Sequence, residues 1–113
     1  MIIGLIPSRL NSKRLKEKPL LNIDGLPIIV HSVKRAQLAK KLDKVLVCTD
    51  HKKIVDIVEK NDGKAILTSK KHRNGTERIY EVARKIKNAK FLVDIQGDQP
   101  LISPEAIDAT INF

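Results

Sequence analysis

A chain of 113 residues has room for one domain and a single core that buries roughly two-thirds of the extended chain's surface, and none for a second domain. Its 42% hydrophobic and 31% charged residues are those of a soluble globular protein, and 22 Lys and Arg against 13 Asp and Glu leave a net charge of +9 that favours anionic partners. There is no apolar run of ~18 residues to cross a membrane, the short apolar start lacks the flanks of a signal peptide, and the single cysteine, Cys48, excludes an internal disulfide. A reducing cytoplasm fits this composition. Only 3% aromatic residues leave little surface for stacking on single strands, and no helix-turn-helix or RNP pattern is present, so nucleic acid is not the expected partner.

The first element is a short buried strand over residues 2–6, a β-branched and aliphatic run that ends at Pro7. A basic loop follows, then an Asp24-Gly25 turn, and Pro27 opens a helix whose Ile28, Ile29, Val33, Ala36 and Leu38 keep helical spacing. Residues 44–49 read as the next strand, with Cys48 as a small buried residue within it. Asp50 is the expected N-cap of a helix over 51–61, which Asp62-Gly63 ends. A short strand over 65–67, a polar loop over 68–75, a helix over 76–86 capped by Thr76, and a strand over 91–95 complete an alternation of strands and helices that specifies a parallel α/β sandwich. Ser103-Pro104-Glu105 is a compact helix start, and the chain stops inside that helix without a stop signal, as a longer protein cut at Phe113 would.

Most lysines, among them Lys40, Lys52 and Lys85, fall on the polar faces of predicted helices, where solvated charge is ordinary. The exception is the loop after the first strand, which packs Arg9, Lys13, Arg14, Lys16 and Lys18 together with Glu17 as the only carboxylate. Arginines there can fork two N–H groups onto phosphate oxygens, Lys18 adds a point charge and Ser12 a neutral donor. The loop after the last strand, DIQGDQPLI at 94–102, turns on Gly97 and Pro100 and sets Asp98 where it can reach a magnesium ion that takes its other ligands from water and phosphate oxygens. In an open parallel sheet both loops leave from the carboxyl ends of strands, where ligands gather. Neither GxxxxGK[ST] nor GxGxxG is present, which argues against P-loop and dinucleotide-binding folds. There is no Cys/His cluster with zinc spacing; His31 and His51 read as surface residues.

IPSRLNSKRLKEKPL (6–20), TDH (49–51), HRNGTERIYEVA (72–83) and DIQGDQPLI (94–102) stand in the order and approximate spacing found in the 3-deoxy-manno-octulosonate (Kdo) cytidylyltransferase family, and the chain resembles that family along essentially its whole length. The resemblance implies a Rossmann-related, glycosyltransferase-A-like nucleotidyltransferase fold, with residues 1–113 as a single partial domain. It implies an enzyme that joins CTP to Kdo, releases pyrophosphate, requires Mg2+, and works as a homodimer in the bacterial cytoplasm for lipopolysaccharide synthesis. By the same resemblance Arg9, Ser12, Arg14 and Lys18 belong to the triphosphate loop, Gln96 lies near the cytosine and sugar, Asp98 is one of two metal-holding aspartates, and His72, Gly75, Thr76, Glu77 and Arg78 belong to a motif near the nucleotide. The chain departs from the family where Lys16-Glu17 replaces a usual Pro-Gly. It is also about half a family member's length, by the resemblance, leaving the second aspartate and most sugar contacts outside it. Another acid sugar, such as 8-amino-Kdo or a sialic-acid relative, is the alternative substrate, and an inactive fragment the alternative to an enzyme.

Overall fold

The protein, described by a computed structural model over residues 2–11, 17–72, 74–86 and 91–95, places its apolar start at the centre of a sheet. In chain order the elements are strand β1 (Ile2–Ser8), a 3-10 turn (Lys18–Leu20), short strands β2 (Asn22–Ile23) and β3 (Leu26–Pro27), and helix α1 (Ile28–Gln37). Then come strand β4 (Lys44–Thr49), helix α2 (Lys52–Lys60), strand β5 (Ala65–Leu67), helix α3 (Gly75–Ala83) and strand β6 (Phe91–Asp94). Four strands form one parallel sheet in the order β5-β4-β1-β6; β2 and β3 form a separate antiparallel hairpin.

Side chains alternate across the sheet as the pleat requires. Ile6, Val45 and Val47 face one layer, where they pack with Ile29, Val30, Val33 and Ala36 of α1 and Ile54 and Val58 of α2. Ile3, Leu5 and Cys48 face the other, against Val82 of α3 with Ile79 and Ile86 at its rim. Burial pushes the Cys48 thiol up to about 12, against the opposing pull of the Arg78 charge. Both layers of the expected sandwich are therefore present, and the fold is the mostly parallel α/β arrangement read from the sequence. Among the described residues no helix is long and apolar enough to cross a membrane.

Several boundaries differ from the sequence expectation, each for a local reason. Strand β1 runs past Pro7 to Ser8, in register with Cys48 and Thr49 of β4. Odd-numbered residues of β1 turn their peptide groups toward β6, as the bond from Ile95 N–H to Leu5 O shows, and β6 ends opposite Leu5; the missing N–H of Pro7 thus interrupts no described ladder. Asp50 does not cap α2. His51 does, its Nδ1 accepting from Lys53 N–H at 3.1 Å, because the Asp50 carboxylate is used to accept the Leu10 N–H at 3.1 Å. Likewise α3 begins one residue earlier than expected and is capped by Asn74, whose Oδ1 accepts from Glu77 N–H at 2.9 Å, rather than by Thr76. The Asp24-Gly25 turn is as expected: both residues have positive φ, 51° and 85°, as the tight turn of a two-residue hairpin demands. The helix start at Ser103 lies outside the described residues.

Candidate active site

The strand order reverses at β1: the chain steps from β1 outward through β4 to β5, then returns to lay β6 on the opposite side of β1. At such a reversal the loops leaving the carboxyl ends of the two flanking strands diverge and open a crevice. The strands are β1 and β6, tied through the Ile95 N–H to Leu5 O bond of 2.9 Å, and the loops that follow them are the two singled out by sequence.

The basic loop is anchored at both ends. After exposed Arg9, Leu10 drops back into the core and its N–H bonds to Asp50 at the end of β4. Asn11 Oδ1 accepts the Glu17 N–H at 3.0 Å, which ties together the two residues that flank segment 12–16. Glu17 itself has φ 52°, the left-handed region that costs a residue with a Cβ about 1 kcal/mol or more; the family's usual glycine at this place, by the resemblance, would bear no such cost. Its carboxylate pairs with Lys53 Nζ of α2 at 3.0 Å, turned to a helix rather than left unattached beside the loop's cations. Lys18 then opens the 3-10 turn.

Helix α3 delivers its N-terminus to the same end of the sheet. A Cβ on Gly75 would lie 3.1 Å from Pro7 Cγ, a tight contact that a side chain could make only if Pro7 gave way by a few tenths of an ångström, so glycine lets the helix start this close to β1 without a shift. The loop before the helix is gripped by side chains one to two helical turns inside it. Ser69 donates its N–H to Glu81 Oε1 at 3.0 Å and accepts from Arg78 Nη1 at 3.1 Å, and the same Arg78 nitrogen donates to Thr68 Oγ1. Glu81 Oε1 also meets His72 Nε2 at 2.7 Å, and Glu81 Oε2 meets Lys85 Nζ at 3.3 Å. The Ser69 N–H, then the His72 and Lys85 bonds, hold the Glu81 carboxyl down to about 2.

A depressed carboxyl contributes stability above its ordinary value, 4.5 here, and loses it as the pH falls toward 2. The protection factor of the Ser69 amide in hydrogen exchange is therefore expected to drop on acidification through that window. Glu81→Ala should lower it at neutral pH, by about tenfold for a lost charge-assisted bond. Equal protection in wild type and variant at pH 7 would remove Glu81 from the clamp.

Arg78 is 0% exposed, and its Nε and Nη2 have no hydrogen-bond partner among the described residues. Burial lowers its pKa, opposed by the nearby Asp50 charge. It lies four residues before buried Val82, on the stripe that α3 turns to the sheet, so the arginine expected beside a nucleotide forms part of the floor beneath that end of the sheet.

Of the residues singled out by sequence, the structure brings Arg9, Lys18, Gly75, Thr76 and Arg78 to the carboxyl end of the sheet, with His72 on the loop before α3. Ser12, Arg14, Gln96 and Asp98 lie outside the described residues. Among the described residues no three His, Cys, Asp or Glu side chains gather as a metal site, so no metal cage is formed by them. Asn11, Asp50 and Glu81 were not picked out as functional residues from sequence. All three fall inside the motif segments, and Glu81 has a further signal in its spacing of three from Arg78 on one side of a helix.

A family model described as Cytidylyltransferase matches residues 3–112. The 3-deoxy-manno-octulosonate cytidylyltransferase of Sodalis glossinidius is 43% identical over 107 residues, 93% of this chain and 42% of that protein. The 8-amino-3,8-dideoxy-manno-octulosonate cytidylyltransferase of Shewanella sp. (strain W3-18-1) is 43% identical over 114 residues, 99% of this chain and 46% of that protein. Among solved structures, a CMP:2-keto-3-deoxy-manno-octonic acid synthetase complexed with CTP matches with a TM-score of 0.93 and 37% identity, over 97% of this chain and 45% of that one. The chain thus spans less than half the length of these relatives.

Proposed function

Because the chain belongs to the cytidylyltransferase family, we propose that it forms the nucleotide-binding half of an enzyme that transfers CMP from CTP to an acid sugar of the Kdo type. The observation that carries this reading is the reversal of strand order between the neighbouring strands β1 and β6, the two strands that the cation-rich segment and the segment bearing Asp98 follow in sequence. The sugar's anomeric hydroxyl attacks the α-phosphorus, its oxygen forming the new P–O bond while its proton passes to solvent. The bond from the α-phosphorus to the bridging oxygen breaks, and pyrophosphate leaves. This chain's part is to bind and orient the triphosphate and to neutralise the growing charge with Arg9, Arg14 and Lys18; no side chain is a nucleophile. In this reading Ser12 serves as a neutral donor to the phosphates and Gln96 as a contact for the base and sugar.

Magnesium belongs to the proposal through Asp98. The ion would supply positive charge against the phosphate oxygens, and the described residues by themselves offer no cage for it. A homodimer and a cytoplasmic location are part of the same reading. The sugar is Kdo or its 8-amino relative, since proteins named for each match at the same 43% identity.

The test is pyrophosphate release by the full-length protein that carries this segment, given CTP and magnesium with Kdo in one arm and 8-amino-Kdo in the other. Release that depends on one of the two sugars supports the reading and names the substrate. No release with either overturns it.

A further inference from the structure

We propose that Glu81 is a positioning residue that fixes the His72 ring with Nδ1 as a hydrogen-bond acceptor for a donor group of the bound nucleoside. The Nε2 edge of His72 is already committed, 2.7 Å from Glu81 Oε1. That carboxylate is itself held by the Ser69 N–H, so the dyad is braced by the backbone of the loop it sits on. A carboxylate accepts only from a nitrogen that carries a proton, which makes Nε2–H the tautomer of the neutral ring and leaves the lone pair on Nδ1. Both side chains are 18% exposed, enough shelter to hold one ring orientation and enough opening to meet a ligand.

His72 also lines a groove of about 350 Å³ together with Thr76, Glu77, Tyr80 and Arg84. The groove runs from the N-terminal turn of α3, whose Gly75 abuts the end of β1, along the exposed side of that helix. Its wall includes the Tyr80 ring, 64% exposed, with the Arg84 guanidinium 5.2 Å from the ring centroid. A flat, polar-edged group fits such a wall, and an oriented acceptor in its lining selects one that carries an N–H or O–H. In a cytidine nucleotide the donors of this kind are the exocyclic amino group of the base and the ribose hydroxyls. This inference rests on the nucleotide reading above.

The experiment is NMR on the whole chain with labelled histidine, titrated with CTP, UTP and 2′-deoxy-CTP. In the free wild type the His72 nitrogen shifts should report the Nε2–H tautomer. Glu81→Ala should bring in the other tautomer, whereas Glu81→Gln, whose side-chain oxygen still accepts, should restore the first. CTP should move the Nδ1 resonance, and Glu81→Ala should weaken CTP by about 3- to 10-fold, with Glu81→Gln closer to wild type. A comparable deficit for wild type with UTP assigns the donor to the base amino group, and one with 2′-deoxy-CTP assigns it to the ribose 2′-hydroxyl. If CTP shifts other resonances and leaves His72 unmoved, the dyad is a structural staple and the inference falls while the nucleotide reading stands. If CTP shifts nothing up to millimolar concentration, both fall. An unchanged tautomer in Glu81→Ala removes Glu81 from the role whatever CTP does.

Discussion

Arg14→Ala is expected to weaken CTP binding by about 10- to 100-fold and CMP binding far less. The difference follows from where the charge is. Segment 12–16 lies between two anchors, Leu10 bonded to Asp50 and Asn11 bonded to Glu17, and it carries three of the loop's five cations. Its expected partners are the phosphates that distinguish CTP from CMP. A charge-assisted bond to such a group is worth roughly 1.5–3 kcal/mol, which sets the size of the effect. Calorimetric titration of both nucleotides checks it, and equal losses for the two would place Arg14 at the α-phosphate or away from the triphosphate altogether. Raising the salt concentration should narrow the gap between wild type and variant, because salt screens the attraction between the cations and the phosphates.

Leu5→Ala is expected to remove about 2–5 kcal/mol of stability, read as a lower midpoint in urea at unchanged slope. Leu5 is fully buried on the central strand, between β4 and β6 and beneath Val82 of α3, so shortening it opens a void that three elements border. A domain of this size has on the order of 5–15 kcal/mol in total, and the loss is a large part of that. The exposed Leu38 is the control, since its truncation should cost under about 0.5 kcal/mol. A Leu5 variant as stable as the Leu38 one would mean that the α3 layer does not pack on the sheet as described.

The alternation of strands and helices was legible because each element carries its own period: brief aliphatic runs for the strands, i, i+3, i+4 spacing for α1 and α2, and Asp24-Gly25 for the hairpin. The parallel sandwich followed from that alternation alone. The position of β6 on the far side of β1 was not legible, since nothing local in FLVD states which strand it will pair with. Cap residues were misjudged by one or two positions at both Asp50-His51 and Asn74-Gly75-Thr76, because each stretch offers neighbouring side chains able to cap and the choice depends on which is claimed by a distant backbone group, as Asp50 is by Leu10. Arg78 shows the same limit at the site. Its motif pointed toward a ligand, while its spacing from Val82 placed it on the buried side of α3, and only the fold shows that it also grips Thr68 and Ser69. The role of His72 was open from sequence; its partner, Glu81, lies nine residues on and becomes visible only when the loop folds back along the helix.

The lone thiol inside the sheet gives the molecule its own clock. Cys48 sits at full burial between the strand layer and α3, with its pKa near 12, so at neutral pH it offers an alkylating reagent neither access nor thiolate. Once the layers separate, the thiol regains an ordinary acidity and reacts. With reagent in excess, the labelling rate thus counts openings of β1 and β4 from α3, while fraying of the loops at the sheet's carboxyl end passes unrecorded. A nucleotide that only orders those loops would leave the clock running at the same speed, and one that fastens α3 against β1 through its first turn would slow it.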